Sequence, residues 1–344
     1  MADTPAWVTL TAVAATGVLS IVGNQVIERY KTKAARVSEE LKARRDYEYE
    51  ARKRLYAETE PVLFQFYESA AYVVNRILNL ARASRDGDLT GSDSWWHDPY
   101  YLRSTVHGFL APLAAFHILR HRITLLDLGL DSALERQYEL GKAANRSWNR
   151  DIEMSHVAPP LQYDPNHKRA REYAALPGGE STYRRQGVFG GLLQRAAAAL
   201  VVTDGASPQV RTFAEFSAAY DDRKSSVRRD VEPVLEVFKG FVPEAHPVLW
   251  RIIIAQLFVY RAVRLYRERD LSDDEVLARV LLTGEEQEAF AFSTNKDDAK
   301  RVREAYTIGS DYLRKALAAA KPAVPTAAFG QAASSRPEPS AKGT

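Results

Sequence analysis

The residues best placed by type and spacing to do chemistry are His117 and His121, in the stretch HILRH. Four residues apart on a helix, both imidazoles fall on one face, the spacing by which zinc metalloproteases grip a metal. Those enzymes also place a Glu base directly after the first His, and here that position is Ile118. A closed metal site wants three or four ligands, and the only further imidazole nearby is His107, on the far side of Pro112. Ordinary histidines without a metal are therefore the expectation. Asp127 and Asp131 are also four apart, but Gly129 lies between them, which suits helix caps better than an acid/base pair. An enzyme would have to bring several of His117, His121, Asp127, Asp131, Tyr163, Asp164 and His167 together in one cleft.

Other chemistries find less support. RQGVFGGLLQR lacks the G-x-x-x-x-G-K-[ST] phosphate cradle and follows no strand, so Gly187, Gly190 and Gly191 are expected to allow close helix packing. No G-x-S-x-G nucleophile elbow is present. The chain contains no cysteine, which removes disulfides, thiolate metal sites and cysteine nucleophiles. Asp221-Asp222 and Asp273-Asp274-Glu275 read as helix-surface and first-turn acids. Arg223-Lys224 and Arg228-Arg229 form a small basic patch without interleaved aromatics, and a net charge of +3 over 344 residues does not argue for nucleic acid. No motif calls for a cofactor. The unusual run Trp95-Trp96-His97-Asp98-Pro99-Tyr100-Tyr101 is the best candidate for contact with a protein partner, through Trp95, Trp96, Tyr100 and Tyr101. The alternative is a loop that folds its rings under the domain.

The elements that must position these residues begin with an uncharged stretch, Thr4 to Ile27. As a helix it spans roughly 36 Å, enough for a hydrocarbon core about 30 Å thick. No Lys or Arg precedes it, and Arg29, Lys31, Lys33 and Arg36 follow it. That asymmetry predicts a single-pass anchor with the N-terminus outside and the bulk of the chain cytoplasmic, its basic residues facing the bilayer surface. A cleaved signal peptide would want a basic start, which is missing; a buried soluble helix is the other alternative. Ala12, Thr16, Ser20 and Asn24 recur every fourth residue, a stripe suited to self-association in a homo-oligomer.

From Glu28 to Glu60 acidic and basic residues alternate without Gly or Pro. Pairs such as Glu40–Arg44, Glu48–Arg52 and Glu50–Arg54 support a solvated helix. A heptad seam through Ile27, Tyr30, Ala34, Val37 and Leu41 then meets Arg44 and Glu48, so a charged stalk is favoured over a coiled coil. Pro61 is expected to restart or kink the helix.

Beyond it, helical periodicity marks Val62–Arg82, Leu102–Leu126, Ala133 to about Glu153, Tyr183–Val202 and Val227–Phe241, then a buried helix containing LWRIIIAQLFVY and a last helix near Asn295–Lys321. Ser272 and Glu275 spell a capping box. Strand signals are nearly absent. The stretch 157–181 is a long Pro/Gly-rich connection, and the Pro/Ala/Ser-rich 322–344 is expected to be a disordered tail.

The expected fold is all-α: residues 1–27 a transmembrane anchor, 28–60 a charged stalk, 61–321 a helical bundle of about seven to nine helices, and 322–344 the tail. The favoured function is a membrane-anchored interaction or scaffold module. An effector acting on its own membrane, or an enzyme with an unrecognised site, are the competing readings.

Overall fold

The computed structural model describes residues 6–148 and 188–319, apart from 126, 189, 204–206, 245, 269–270 and 297. For 6–28, 125, 247 and 268 it describes the backbone alone. The chain is predominantly helical, as its periodicity predicts. The first helix, α1, runs Ala6–Asp86. Pro61 lies inside it at an exposed position instead of restarting it. The proline ring removes one backbone donor, and the apolar face on both sides of it keeps the helix continuous. Contacts divide the chain into two units, Met1–Tyr56 and Ala57–Thr344.

Within the first unit, residues 29–46 are exposed on every face of α1. Tyr30, Val37 and Leu41, the expected seam, are 72%, 49% and 50% exposed. At the next two seam positions Arg44 pairs with Glu48 at 3.0 Å, rather than backward with Glu40. The seam is closed off by its own helix, which is the behaviour of a solvated stalk.

The second unit gathers around one helix. After α2 (Pro99–Arg122) and α3 (Ser132–Ser147) come α4 (Gly190–Ala199), α5 (Phe213–Asp221) and α6 (Val227–Phe238). Then follow α7 (Pro247–Leu265), α8 (Asp273–Val280), α9 (Gly284–Phe290) and α10 (Ala299–Ala319). In α7 every residue from Val248 to Tyr260 is buried, including Arg251 and Gln256. A helix apolar all round belongs at a centre, and α3, α8 and α10 pack directly on this one. The C-terminal part of α1 reaches it too, with Phe66 edge-on to Tyr260 at 6.3 Å. A second centre forms where α2 meets α4 and α6: Phe109 stacks on Phe238 at 5.2 Å, and Trp148 stands edge-on to Phe109 at 5.7 Å.

Several boundaries differ from those expected. Of the helix expected over Tyr183–Val202, Gly190–Ala199 is described as helix and gives way to a strand, Val201–Val202, paired antiparallel with Gln209–Val210; residues 183–187 and 189 lie outside the described residues. Two residues per strand are too short for alternation to register in the sequence. Tertiary bonds hold the pair instead: the Gln65 side-chain oxygen accepts from Val210 N at 3.1 Å, and Arg122 donates to both Ser207 Oγ and the Glu58 carbonyl. The long 157–181 connection and the 322–344 tail lie outside the described residues. Asp131 caps α3 as expected, accepting from Ala133 N and Leu134 N, and Ser272–Glu275 forms the expected capping box.

Candidate functional site

The histidines separate by environment. His117 and His121 lie side by side on α2 with ring centroids 4.6 Å apart. Burial first, then the charges of His121 and Arg120, hold the pKa of His117 below its ordinary value. His107 faces elsewhere: its Nε2 donates to the Arg211 carbonyl at 2.8 Å, and its ring packs between Phe213 and Phe216. Its pKa is also lowered, by burial, with the Arg211 carbonyl opposing. Among the described residues no three metal-type side chains converge. Asp127 accepts from Gly129 N and Asp131 from the first turn of α3, so both carboxylates are spent as caps. Tyr163, Asp164 and His167 lie outside the described residues.

The aromatic run divides in two. Trp96 is buried, stands edge-on to Phe241 at 6.2 Å, and donates its indole N–H to the Phe241 carbonyl at 2.7 Å. It belongs to the core, which corrects its expected place in a contact surface: a buried indole finds an acceptor inside the protein. The other three rings stay at the surface. Trp95 stacks on Tyr101 at 4.8 Å, Tyr101 meets Tyr100 edge-on at 5.5 Å, and Tyr100 meets Phe213 at 5.4 Å. Tyr100 is 57% exposed and Tyr101 36%.

Next to this ledge sits a feature that reading the basic patch by itself missed. Tyr220 lies between two guanidiniums, Arg103 at 4.5 Å and Arg228 at 5.5 Å from its ring, so the patch does carry an aromatic. Its hydroxyl donates to Glu232 at 2.5 Å, and burial first, then Glu232, pushes its pKa up to about 12. Arg103 also forks onto Asp221, at 2.8 and 3.0 Å.

Of the expected membrane-proximal residues, Arg29, Lys31, Lys33 and Arg36 are exposed on α1. The side chains of Ala12, Thr16, Ser20 and Asn24 lie outside the described ones. Among the residues whose side chains are described, no helix is long and apolar enough to cross a membrane.

Sequence reading did not find one charged concavity. A cleft of about 540 Å³ opens between α1 and the C-terminal end of α7, closed by α8 and α9. That volume is in the range of small-molecule pockets. Arg261, Arg264, Arg267 and Arg279 line it against the carboxylates of Glu68 and Glu286. Arg261 forks onto Glu286 with bonds of 2.8 and 3.3 Å, and that pairing holds Glu286 below the usual carboxylate range. Arg267 lies over the rings of Phe64 and Tyr67, at 6.0 and 5.9 Å. Arg264 is exposed, and its guanidinium makes no hydrogen bond or ion pair among the described residues.

The overlooked signal is the repeat Arg261-x-x-Arg264-x-x-Arg267. Every third residue stays on one face as α7 tightens into the 3₁₀ turn Tyr266–Glu268. Basic residues in a last helical turn are ordinary, because the dipole favours them there. Arg264 in the last turn of α7 and Arg279 in the last turn of α8 are both accounted for in this way, whereas Arg261 stands one turn earlier and is held by Glu286 instead.

No family model matches the chain, and neither the characterised proteins nor the solved structures include a detectable relative.

Proposed function

We propose that this protein is a membrane-tethered interaction module, in which residues 1–27 anchor, the charged part of α1 spaces, and the helical unit from Ala57 onward binds. One observation carries the reading: immediately after an uncharged stretch long enough to span a bilayer, α1 continues as a helix whose residues 29–46 bury nothing. A helix without a buried face gains little from being there except reach, and its basic first turns suit an anionic membrane surface. Tethering then raises the local concentration of whatever the helical unit binds, without any bond chemistry.

In this reading Trp95, Tyr100 and Tyr101 supply a rigid aromatic contact for a protein partner. The stripe Ala12, Thr16, Ser20 and Asn24 allows self-association within the bilayer.

Fractionation of the full chain carrying a C-terminal reporter tests this. The expected result is a membrane-bound protein released by detergent but not by high salt, with the reporter inside the cell, and release into the soluble fraction when residues 1–27 are deleted. A freely soluble full-length chain, or a reporter on the outer face, overturns the proposal.

A further inference from the structure

We infer that Arg76, between α1 and α2, receives a carboxylate from the protein partner that meets the aromatic ledge. This rests on the reading of Trp95, Tyr100 and Tyr101 as a partner contact, and not on the tether. Arg76 is only 8% exposed, and its Nη2 donates to Tyr72 Oη at 2.7 Å and to Ser104 Oγ at 3.0 Å. Both acceptors are neutral hydroxyls. Among the described residues no carboxylate pairs with this guanidinium, although a charge taken out of water ordinarily keeps an opposite charge beside it. Helix dipoles do not stand in for the anion. Arg76 lies well inside α1, which ends at Asp86, and Ser104 belongs to the N-terminal half of α2, towards its positive end.

The rest of the guanidinium is open to a ligand. Nε and Nη1 make no hydrogen bond among the described residues, and neither is sealed from solvent. Water satisfies such groups as donors but brings no charge. The Tyr72 hydroxyl accepts from Arg76, so its own proton is left to donate, and Tyr72 is exposed. A carboxylate fits this set: one oxygen for the guanidinium edge, one for the Tyr72 O–H, and one negative charge for one positive. The site also runs into the ledge. Tyr101, Ser104 and Gly108 share one face of α2. The Tyr72 ring lies against Gly108, where a Cβ would come within 2.5 Å of it, and Ser104 Oγ donates to the Tyr101 carbonyl at 3.2 Å. The Tyr101 ring in turn carries Trp95. A guanidinium, two tyrosines and a tryptophan in one row are the residue types that anchor interfaces. The ligand is therefore a protein segment that sets an Asp or Glu beside apolar side chains.

The experiment selects a phage-displayed library of random linear peptides on the full-length protein in an uncharged detergent, then titrates the best synthetic peptide by fluorescence anisotropy. The expected result is a family of peptides sharing one Asp or Glu next to aromatic or aliphatic residues. Changing that acid to its amide should weaken binding about tenfold or more, the worth of a charge-assisted bond. Arg76→Gln should cost the same, Arg76→Lys should recover part of it, and the amide peptide on Arg76→Gln should lose little more, because the two changes remove one interaction. Arg76→Gln leaves Ser104 bonded to Tyr101 and Tyr72 in reach of water, so it keeps the parent's thermal midpoint; should it fail to fold, the amide peptide decides the matter without touching the protein. Absence of an enriched family overturns the inference, as does a family without a carboxylate. Binding lost in Trp95→Ala but unchanged in Arg76→Gln also overturns it while leaving the ledge as a partner contact, and binding indifferent to both removes both readings. Displacement by sodium benzoate at the peptide's own concentration assigns the site to a small carboxylate, and dimers that Arg76→Gln dissolves assign it to a second copy; either result overturns the inference.

Discussion

Gly141 and Gly191 show how little a residue type says without its surroundings. A Cβ on Gly141 would run into the Phe116 ring, 2.6 Å from Cε2, whereas a Cβ on Gly191 would meet nothing within 4 Å. The sequence points the other way: the clustered Gly187, Gly190 and Gly191 look like a packing face, while Gly141 is an isolated glycine between Leu140 and Lys142. Close approach depends on which ring the fold sets opposite, and Phe116 is on another helix, so no local signal carries it. Gly141→Ala should therefore destabilise the protein by about 1–3 kcal/mol through overpacking. Gly191→Ala should stay within about 0.5 kcal/mol of the parent, because it only exchanges glycine for a better helix former. Urea unfolding midpoints of the two variants, read at equal transition slope, check this; equal losses would mean that Phe116 moves aside freely. The candidate cleft obeys the same lesson. The arginine repeat that ends α7 was visible in the sequence, but Glu286, Arg279 and Tyr67 come to it from three other helices.

At the scale of elements, legibility follows the range of the interactions. The Ser272–Glu275 capping box and the Asp131 cap act within three residues, and both were readable from residue order. The buried helix α7 was readable because a long apolar run interrupted by single charges leaves few alternatives. What escaped was held by distant partners, and α9 is the clearest case. This seven-residue helix is too short to persist by itself. Its N-terminus is closed by a capping box between Thr283 and Glu286. Its C-terminus is closed from across the fold by Arg85, at the end of α1, which donates to the carbonyls of Glu288, Ala289 and Ala291. Removing the guanidinium leaves those carbonyls without a cationic partner at the negative end of the helix dipole. Arg85→Met should accordingly raise amide exchange in Gly284–Phe290 about tenfold or more, in line with losing a charge-assisted bond. Amides in the centre of α7 should keep their protection. Uniform acceleration across both helices would instead show that Arg85 supports the whole unit and not α9 in particular.

For the whole molecule, the division into two units makes α1 one helix with two different reasons to exist. From Ala57 to Asp86 its apolar face is core: Val62, Phe66, Ala70, Val73, Ile77 and Leu80 are each at most 1% exposed. Over residues 29–46 it has no core at all, and pairs such as Arg44–Glu48 each contribute about 0.3–0.5 kcal/mol. Cooperative burial is what makes a helix resist opening, so the two stretches should differ widely in local stability although their backbone geometry is the same. Brief trypsin treatment of the full-length protein reads this difference, because lysines and arginines are present in both stretches: Lys42, Arg44 and Arg45 in the stalk, Arg76 and Arg82 in the core part. The expected first cuts fall at the stalk residues, releasing a fragment that contains Ala57–Ala319 and retains its helical circular dichroism and its unfolding midpoint. Cuts at Arg82, or loss of cooperative unfolding once the stalk is cleaved, would mean that the stalk is integral to the bundle. In that case its exposed faces in the isolated chain would be the surface of a larger assembly instead of a spacer.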